Sequence, residues 1–117
     1  MDKALRLQQK NGRYLRDKSR ILRALERYDD ALVALEAALA LDPNNADLWG
    51  DKGLLLANLN RKAEAIEAYQ AAIQHAAPDN LSLPLYRKIV QALTDEIRAE
   101  EAKSAAATGR NWVPAWG

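Results

Sequence analysis

The chain has 117 residues, enough for one domain, and its composition of 49 % hydrophobic and 28 % charged residues is that of an ordinary globular protein. It contains no cysteine and one histidine, which excludes disulfide frameworks, thiolate metal sites, cysteine nucleophiles and clustered histidine sites. The net charge is +1, but nine of the 17 basic side chains and only three of the 16 acidic ones fall within residues 1–28, so the front of the chain is basic and the rest acidic.

The first predicted helix covers residues 13–27 and has one apolar and one basic side. Its apolar side carries Leu15, Leu22 and Leu25 at helical spacing. At about 100° per residue, five arginines share an arc of roughly 80° on the opposite side. They are Arg13, Arg16, Arg20, Arg23 and Arg27. Only Asp17 and Glu26 lie nearby to neutralise this stripe, so it suits an acidic ligand; a solvated helix face is the alternative.

The pattern of two helices and a stop occurs twice. A second helix is predicted over residues 30–41, before the stop Asp42-Pro43-Asn44-Asn45, and the same order returns as helices 46–59 and 63–77. Chemically similar residues recur 34 positions apart: Leu15 and Trp49, Ser19 and Gly53, Leu22 and Leu56, Ala31 and Ala65, Leu35 and Tyr69, Ala38 and Ala72, Leu39 and Ile73. The small members of these pairs predict close helix crossings. The chain is therefore built from repeated helical hairpins.

After Asn80 the period fails, and one more helix is predicted to begin near Pro84. Its apolar stripe and polar far end predict a capping helix over residues 81–108, because the last unit of a stack needs one side in water. A tail of residues 109–117 follows. We expect its Trp112 and Trp116 to pack on their own domain or on a crystal neighbour rather than to anchor a partner.

The two units resemble the tetratricopeptide repeat, a helical hairpin of 34 residues. The second unit matches its signature in order: Trp49, Gly53, Leu56, Ala65, Tyr69 and Pro78. The first matches more loosely: Leu15, Ser19, Leu22, Ala31, Leu35 and Pro43. Lys18 and Lys52 stand where the family usually has leucine. The resemblance implies an all-α fold in which the hairpins stack as a right-handed superhelix, an α-solenoid.

The resemblance also divides the chain. Residues 12–45 and 46–80 are assigned to repeats 1 and 2. Residues 3–11 resemble residues 37–45, one full period later, so residues 1–11 are predicted to end a preceding half repeat, and the chain to be a fragment of a longer array. A short leading helix that happens to resemble the repeat is the alternative.

The family binds a peptide or helix of a partner on a concave surface lined by the first helix of each hairpin. Carried over by register, this lining comprises Arg13, Arg16, Arg20, Arg23, Ala24, Asp47, Gly50, Leu54, Ala57 and Asn58. The resemblance therefore implies a protein-interaction scaffold and no enzyme. The arginines predict an acidic or amphipathic partner segment, with Gly50, Leu54 and Ala57 as a shallow apolar floor.

One subgroup of the family clamps the C-terminal carboxylate of chaperones with lysine and asparagine side chains. Arg16 and Arg20 occupy two of those positions here, and Asp51 occupies a position that the subgroup fills with asparagine. An aspartate there repels a carboxylate. We therefore expect an internal acidic segment rather than a free C-terminus as the ligand.

Two other hypotheses compete with peptide binding. The first is an anion or nucleic-acid binder that uses residues 3–27 as a basic face, but the chain has no phenylalanine, and Tyr14 and Tyr28 are not interleaved with the arginines as base stacking requires. Nucleic acid is therefore an unfavoured partner. The second is self-association, in which Leu5 and Leu7 of the leading half repeat stack on a second copy.

The remaining candidates for chemistry have structural explanations. His75 lies near a predicted helix end, where an imidazole is tolerated, and paired acids such as Glu64 and Glu67 lie on helix surfaces. No motif predicts a cofactor or a metal. The first residues lack the apolar core of a signal peptide, and no apolar run reaches the length of a bilayer span, so we expect a cytoplasmic protein without a membrane segment.

Overall fold

The computed structural model describes residues 3–107 and the side chains of residues 10–106. Regular structure in this part of the chain is entirely α-helical: α1 (Lys3–Ala24), α2 (Tyr28–Leu41), α3 (Ala46–Asn58), α4 (Lys62–His75) and α5 (Leu83–Ala107). Helices α1 and α2 form one hairpin, α3 and α4 form a second, and each helix packs against the next. The predicted all-α helical-repeat architecture is confirmed. Trp112 and Trp116 lie outside the described residues, as do the side chains of Leu5 and Leu7.

Both hairpins are closed by the same turn. Glu26 and Asn60, which are one period apart, have φ angles of 61° and 60°. The backbone N–H of the residue after each donates to the carbonyl oxygen five residues earlier, at 2.8 Å in both turns. This is the Schellman arrangement, in which a left-handed residue ends a helix. It explains why α1 ends at Ala24 and not at residue 27 as predicted.

The connection between the hairpins is held by side chains on both sides of its proline. Asn45 caps α3, because its Oδ1 accepts hydrogen bonds from the backbone N–H groups of Asp47 and Leu48 at 3.0 and 3.3 Å. The Trp49 indole donates to the Pro43 carbonyl at 2.7 Å. The Lys52 ammonium lies 5.2 Å from the centre of the Trp49 ring. A lysine therefore fits where the family usually has leucine, since its stem and charge both rest on this indole.

The close helix crossings occur where the small residues predict them. Ser19, Ala31, Ala38, Ala65 and Ala72 are all buried. A Cβ atom built on Gly53 would lie 2.7 Å from a ring carbon of Tyr69, closer than real contacts allow. Glycine therefore lets α3 rest directly on the tyrosine of α4.

Helix α5 takes the place that α3 has in the preceding hairpin. Its buried Leu83 lies 35 residues after the buried Leu48, in agreement with the one-residue longer spacing of the prolines. The positions of Gly53 and Leu56, which face α4 from α3, are held in α5 by the exposed Lys88 and Gln91. This side of α5 is therefore suited to water. The Lys62 ammonium on α4 lies 3.4 Å from Glu96 and also pairs with Glu100, which fastens the distal half of α5.

The expected break between residues 11 and 12 is wrong. Helix α1 runs without interruption from Lys3 to Ala24, so its first residues extend the first helix and do not form the second helix of an earlier hairpin. Asn11 and Gly12 are weak helix formers, but Gly12 costs a helix only about 1 kcal/mol relative to alanine. No proline or left-handed residue is present there to stop the helix.

Replacing Gly53 by alanine should destabilise the fold by about 1–3 kcal/mol, because the new methyl group overlaps the Tyr69 ring. Gly12→Ala provides the matched control, since nothing lies within 4 Å of a Cβ atom at Gly12. It should stabilise the protein by up to about 1 kcal/mol through helix propensity alone. Urea unfolding of both variants measures the difference, and equal effects of the same sign would contradict the assigned contact.

The left-handed turn at Glu26 predicts an inverted glycine preference. Glu26→Gly should be more stable than Glu26→Ala by about 1 kcal/mol, because alanine in this conformation is strained. At the exposed helical residue Glu36 the order should reverse, with glycine the less stable by about 1 kcal/mol. Thermal unfolding of the four variants tests the pattern, which fails if alanine is preferred at both positions.

Candidate peptide-binding face

The first helices of the stack meet on one side of the molecule through two equivalent contacts. Arg16 on α1 donates from Nε to Oδ2 of Asp51 on α3 at 2.8 Å. One repeat later, a Cβ atom on Gly50 of α3 would lie 2.5 Å from the hydroxyl oxygen of Tyr86 on α5. The same pair of positions is thus filled first by an ion pair and then by glycine and tyrosine. We call this side, formed by α1, α3 and α5, the first-helix face.

Asp51 is the carboxylate around which the predicted arginines gather. Besides its bond to Arg16, it lies 3.8 Å from Nε of Arg20. Arg16 and Asp51 are both half-buried, whereas about half of the Arg20 side chain is exposed. The neutralising acid for this part of the stripe therefore comes from the next hairpin, not from Asp17 or Glu26, because helix packing brings α3 beside α1.

The other predicted arginines differ in what surrounds them. Arg13 is exposed and Arg23 half-buried, and within the described part of the chain neither forms an ion pair. Arg27 does not continue the stripe. It lies beyond the end of α1, and its guanidinium pairs with Asp30 at 2.8 Å. The five-arginine stripe is thus corrected to four, because the Schellman turn removes Arg27 from the helix.

The residues predicted from the second repeat do not form the open floor that was expected. Gly50 is buried beneath Tyr86, so it offers no surface to a ligand, which corrects its assignment. Leu54 and Ala57 are half-buried and pack against the core. The helix-terminal residues Ala24 and Asn58 are exposed, as is Asp47 near the start of α3. The described apolar surface of α3 on this side is therefore narrow.

Helix α5 adds residues that the sequence reading missed. With the 35-residue spacing that joins Asp51 to Tyr86, Gly50 corresponds to Leu85 and Leu54 to Ile89. Leu85 is exposed and Ile89 half-buried, so both extend the narrow apolar surface of α3. The shift from Pro43 to Pro78 is the signal that would have revealed them, since it shows that one residue must be added to the period.

Burial of two tyrosine rings gives the face its electrostatic character on the α5 side. The rings of Tyr69 and Tyr86 lie 5.7 Å apart, centre to centre. Burial raises the pKa of Tyr69 to about 12, and interactions with Tyr86 and Asp51 act in the same direction while Arg23 opposes them. Burial likewise raises the pKa of Tyr86, against a lowering hydrogen bond with Ser82. Both hydroxyl groups therefore stay neutral at physiological pH.

Other chemistry was sought across residues 3–107. This part of the chain contains no group of three or more histidine and acidic side chains that could hold a metal ion. His75 is the last residue of α4 and is exposed. None of the five helices has the length and apolar character needed to cross a bilayer.

The family assignment agrees with this geometry. The family model described as "Tetratricopeptide repeat" matches residues 16–80, which is more than half of the chain. The chain therefore belongs to the tetratricopeptide repeat family. Repeats of this family generally mediate protein–protein interaction. No curated protein matches the chain.

The raised pKa of Tyr69 predicts a loss of stability in alkaline solution. An unfolded tyrosine has a pKa near 10, whereas Tyr69 in the fold titrates at about 12. The contribution of the neutral ring is complete below pH 10 and is lost as the pH rises toward 12. Tyr69→Phe has no group to ionise there, so its free energy of unfolding should fall less steeply between pH 10 and 12. Urea unfolding at several pH values tests this, and parallel curves would contradict it.

Proposed function

We propose that this chain is a protein-interaction module whose first-helix face binds an acidic or amphipathic segment of a partner protein, and that it acts by binding and not by catalysis. The family supports the general role. The observation that carries the finer proposal is the excess of arginine over carboxylate on α1. Arg13, Arg16, Arg20 and Arg23 lie on one helix side, and Asp51 is the acid that pairs with them among the described residues.

The arginines can accept ligand carboxylates without breaking the fold. Arg13 and Arg23 have no ion pair to give up within residues 3–107, and Arg20 lies 3.8 Å from Asp51 with half its side chain in water. Each guanidinium offers a planar pair of donors that matches a carboxylate. Arg16 is held more tightly by Asp51 and is suited to orienting its neighbours.

The apolar side chains set the other half of the preference. Leu54, Leu85 and Ile89 lie along α3 and α5, on the far side of Asp51 from the arginines of α1. A segment that crosses the first helices in order would meet guanidinium groups first and apolar surface next. This order favours a ligand with its acidic residues at one end and its apolar residues at the other.

Asp51 makes the proposal testable in both directions. Its carboxylate competes with a ligand for Arg16 and Arg20, so Asp51→Asn should strengthen binding of an acidic peptide by roughly threefold to tenfold. Arg13→Glu combined with Arg20→Glu should weaken binding by about tenfold or more, because it replaces two attractions with two repulsions. Fluorescence anisotropy with a labelled peptide of three glutamates followed by three leucines measures both changes.

Controls separate a local site from net charge. Arg87→Glu with Arg98→Glu produces the same change in charge at two exposed arginines of α5 and should leave affinity within about twofold. A peptide with glutamine in place of glutamate should bind weakly, and circular dichroism should show unchanged helix content in all variants. Equal peptide affinity of the wild type and the Arg13/Arg20 variant would refute the site. Tighter binding of an oligonucleotide than of the peptide would refute the ligand class.

A further inference from the structure

The first hairpin has a large apolar surface without a partner in the described chain. Four of its large apolar side chains are between 61 % and 69 % exposed: Tyr14, Ile21, Leu25 and Val33. An open groove of about 420 Å³ runs beside them between α1 and α2. Its lining includes Leu15, Lys18, Leu22, Val33, Ala34 and Ala37. We call the exposed residues and the groove together the end face.

The same surface is covered one repeat later. Leu48 and Leu55 follow Tyr14 and Ile21 by 34 residues, and they are only 3 % and 1 % exposed. They are buried because the first hairpin packs on the second through the contact of α2 with α3. The end face is therefore the repeat equivalent of an interface that already exists within this chain. On the first hairpin its cover is another molecule or another segment.

The end face is also more apolar than stacking requires. Val33 and Ala40 correspond to Glu67 and Gln74 of the second hairpin, which are exposed and polar there. The first hairpin has apolar side chains at the same exposed positions. A contiguous apolar surface of this kind on a folded chain indicates contact with another protein surface.

A second copy can cover the end face only with its own end face. The surfaces of second helices that perform this task in the chain are both in use, since α3 packs on α2 and α5 packs on α4. The outer side of α5 presents Lys88 and Gln91, which do not match an apolar surface. The end face, in contrast, carries protruding side chains such as Ile21 and Val33 beside a groove floored by Ala34 and Ala37, as a self-complementary two-fold contact requires.

We propose that two copies of this chain associate head to head through their end faces, around a two-fold axis. The side chains of Ile21 and Val33 of one copy enter the groove of the other, and the reverse contact is identical. The arginines of the first-helix face lie on a different side of α1, so both faces can be used at once. The contact does not depend on the proposed peptide ligand.

The charges at the end face give this contact a salt dependence of its own. Arg27 is neutralised by Asp30 at 2.8 Å. Lys18 lines the groove and, within residues 3–107, forms no ion pair, so a two-fold contact brings two like charges toward each other. Added salt screens this repulsion and should strengthen association, whereas it should weaken binding of an acidic peptide. Lys18→Leu should tighten the dimer by about tenfold.

Sedimentation equilibrium of the full chain from micromolar to millimolar concentration tests the proposal. We expect a monomer–dimer equilibrium that Ile21→Glu combined with Val33→Glu weakens by about a hundredfold, with unchanged circular dichroism. Leu81→Glu with Leu85→Glu is the matched control, because these leucines are also exposed, at 96 % and 55 %, but lie at the other end of the stack. A monomer at every concentration, or a dimer weakened equally by both pairs, overturns the proposal.

The orientation can be measured because the chain has no cysteine of its own. Spin labels on Ala40→Cys, beside the end face, should give a shorter distance between the two copies than labels on Glu101→Cys, near the end of α5. The opposite order, or a mass that grows beyond the dimer, would show another contact and overturn the two-fold arrangement. Arg13→Glu with Arg20→Glu should leave the dimer intact, so failure of this proposal and failure of peptide binding are distinguishable.

Discussion

A helical hairpin of this chain cannot bury both of its apolar sides, so its packing depends on the neighbour that covers it. The second hairpin has a neighbour on each side, and its Leu55 and Leu56 are almost fully buried. The first hairpin is covered only through α2, and the large apolar side chains of its free side stay exposed. Helix α5 solves the same problem at the other end by turning Lys88 and Gln91 outward. The two ends of the described stack therefore differ in chemistry.

Stacking also decides which charges meet. The pair of positions that joins successive first helices holds Arg16 and Asp51 at one junction and Gly50 and Tyr86 at the next. The first junction is polar and half-buried, and the second is a close contact between a backbone and a ring. One geometric relation thus gives a basic region on α1 and a more apolar region on α3 and α5. A ligand that lies across the face meets both.

Much of the fold could be predicted from the sequence because helix packing leaves a periodic trace. The 34-residue spacing places Ser19 opposite Gly53 and Ala31 opposite Ala65, and these residues are buried at the helix crossings. The helix through Asn11 and Gly12 and the early end of α1 at Ala24 could not be predicted with the same tools. A weak helix former permits a break without requiring one, and the left-handed turn at Glu26 uses a residue with no preference for that conformation.

The candidate site divides along the same line. The sequence by itself determined the repeat, the positions of the helices and the presence of Arg13, Arg16, Arg20 and Arg23 on one side of α1, since all of these follow from spacing along a single chain. Only the tertiary structure decided that Asp51 neutralises two of those arginines, that Tyr86 covers Gly50 and that Arg27 pairs with Asp30. These outcomes depend on distances between residues of different helices or at helix ends, and helical periodicity within one segment carries no information about such distances.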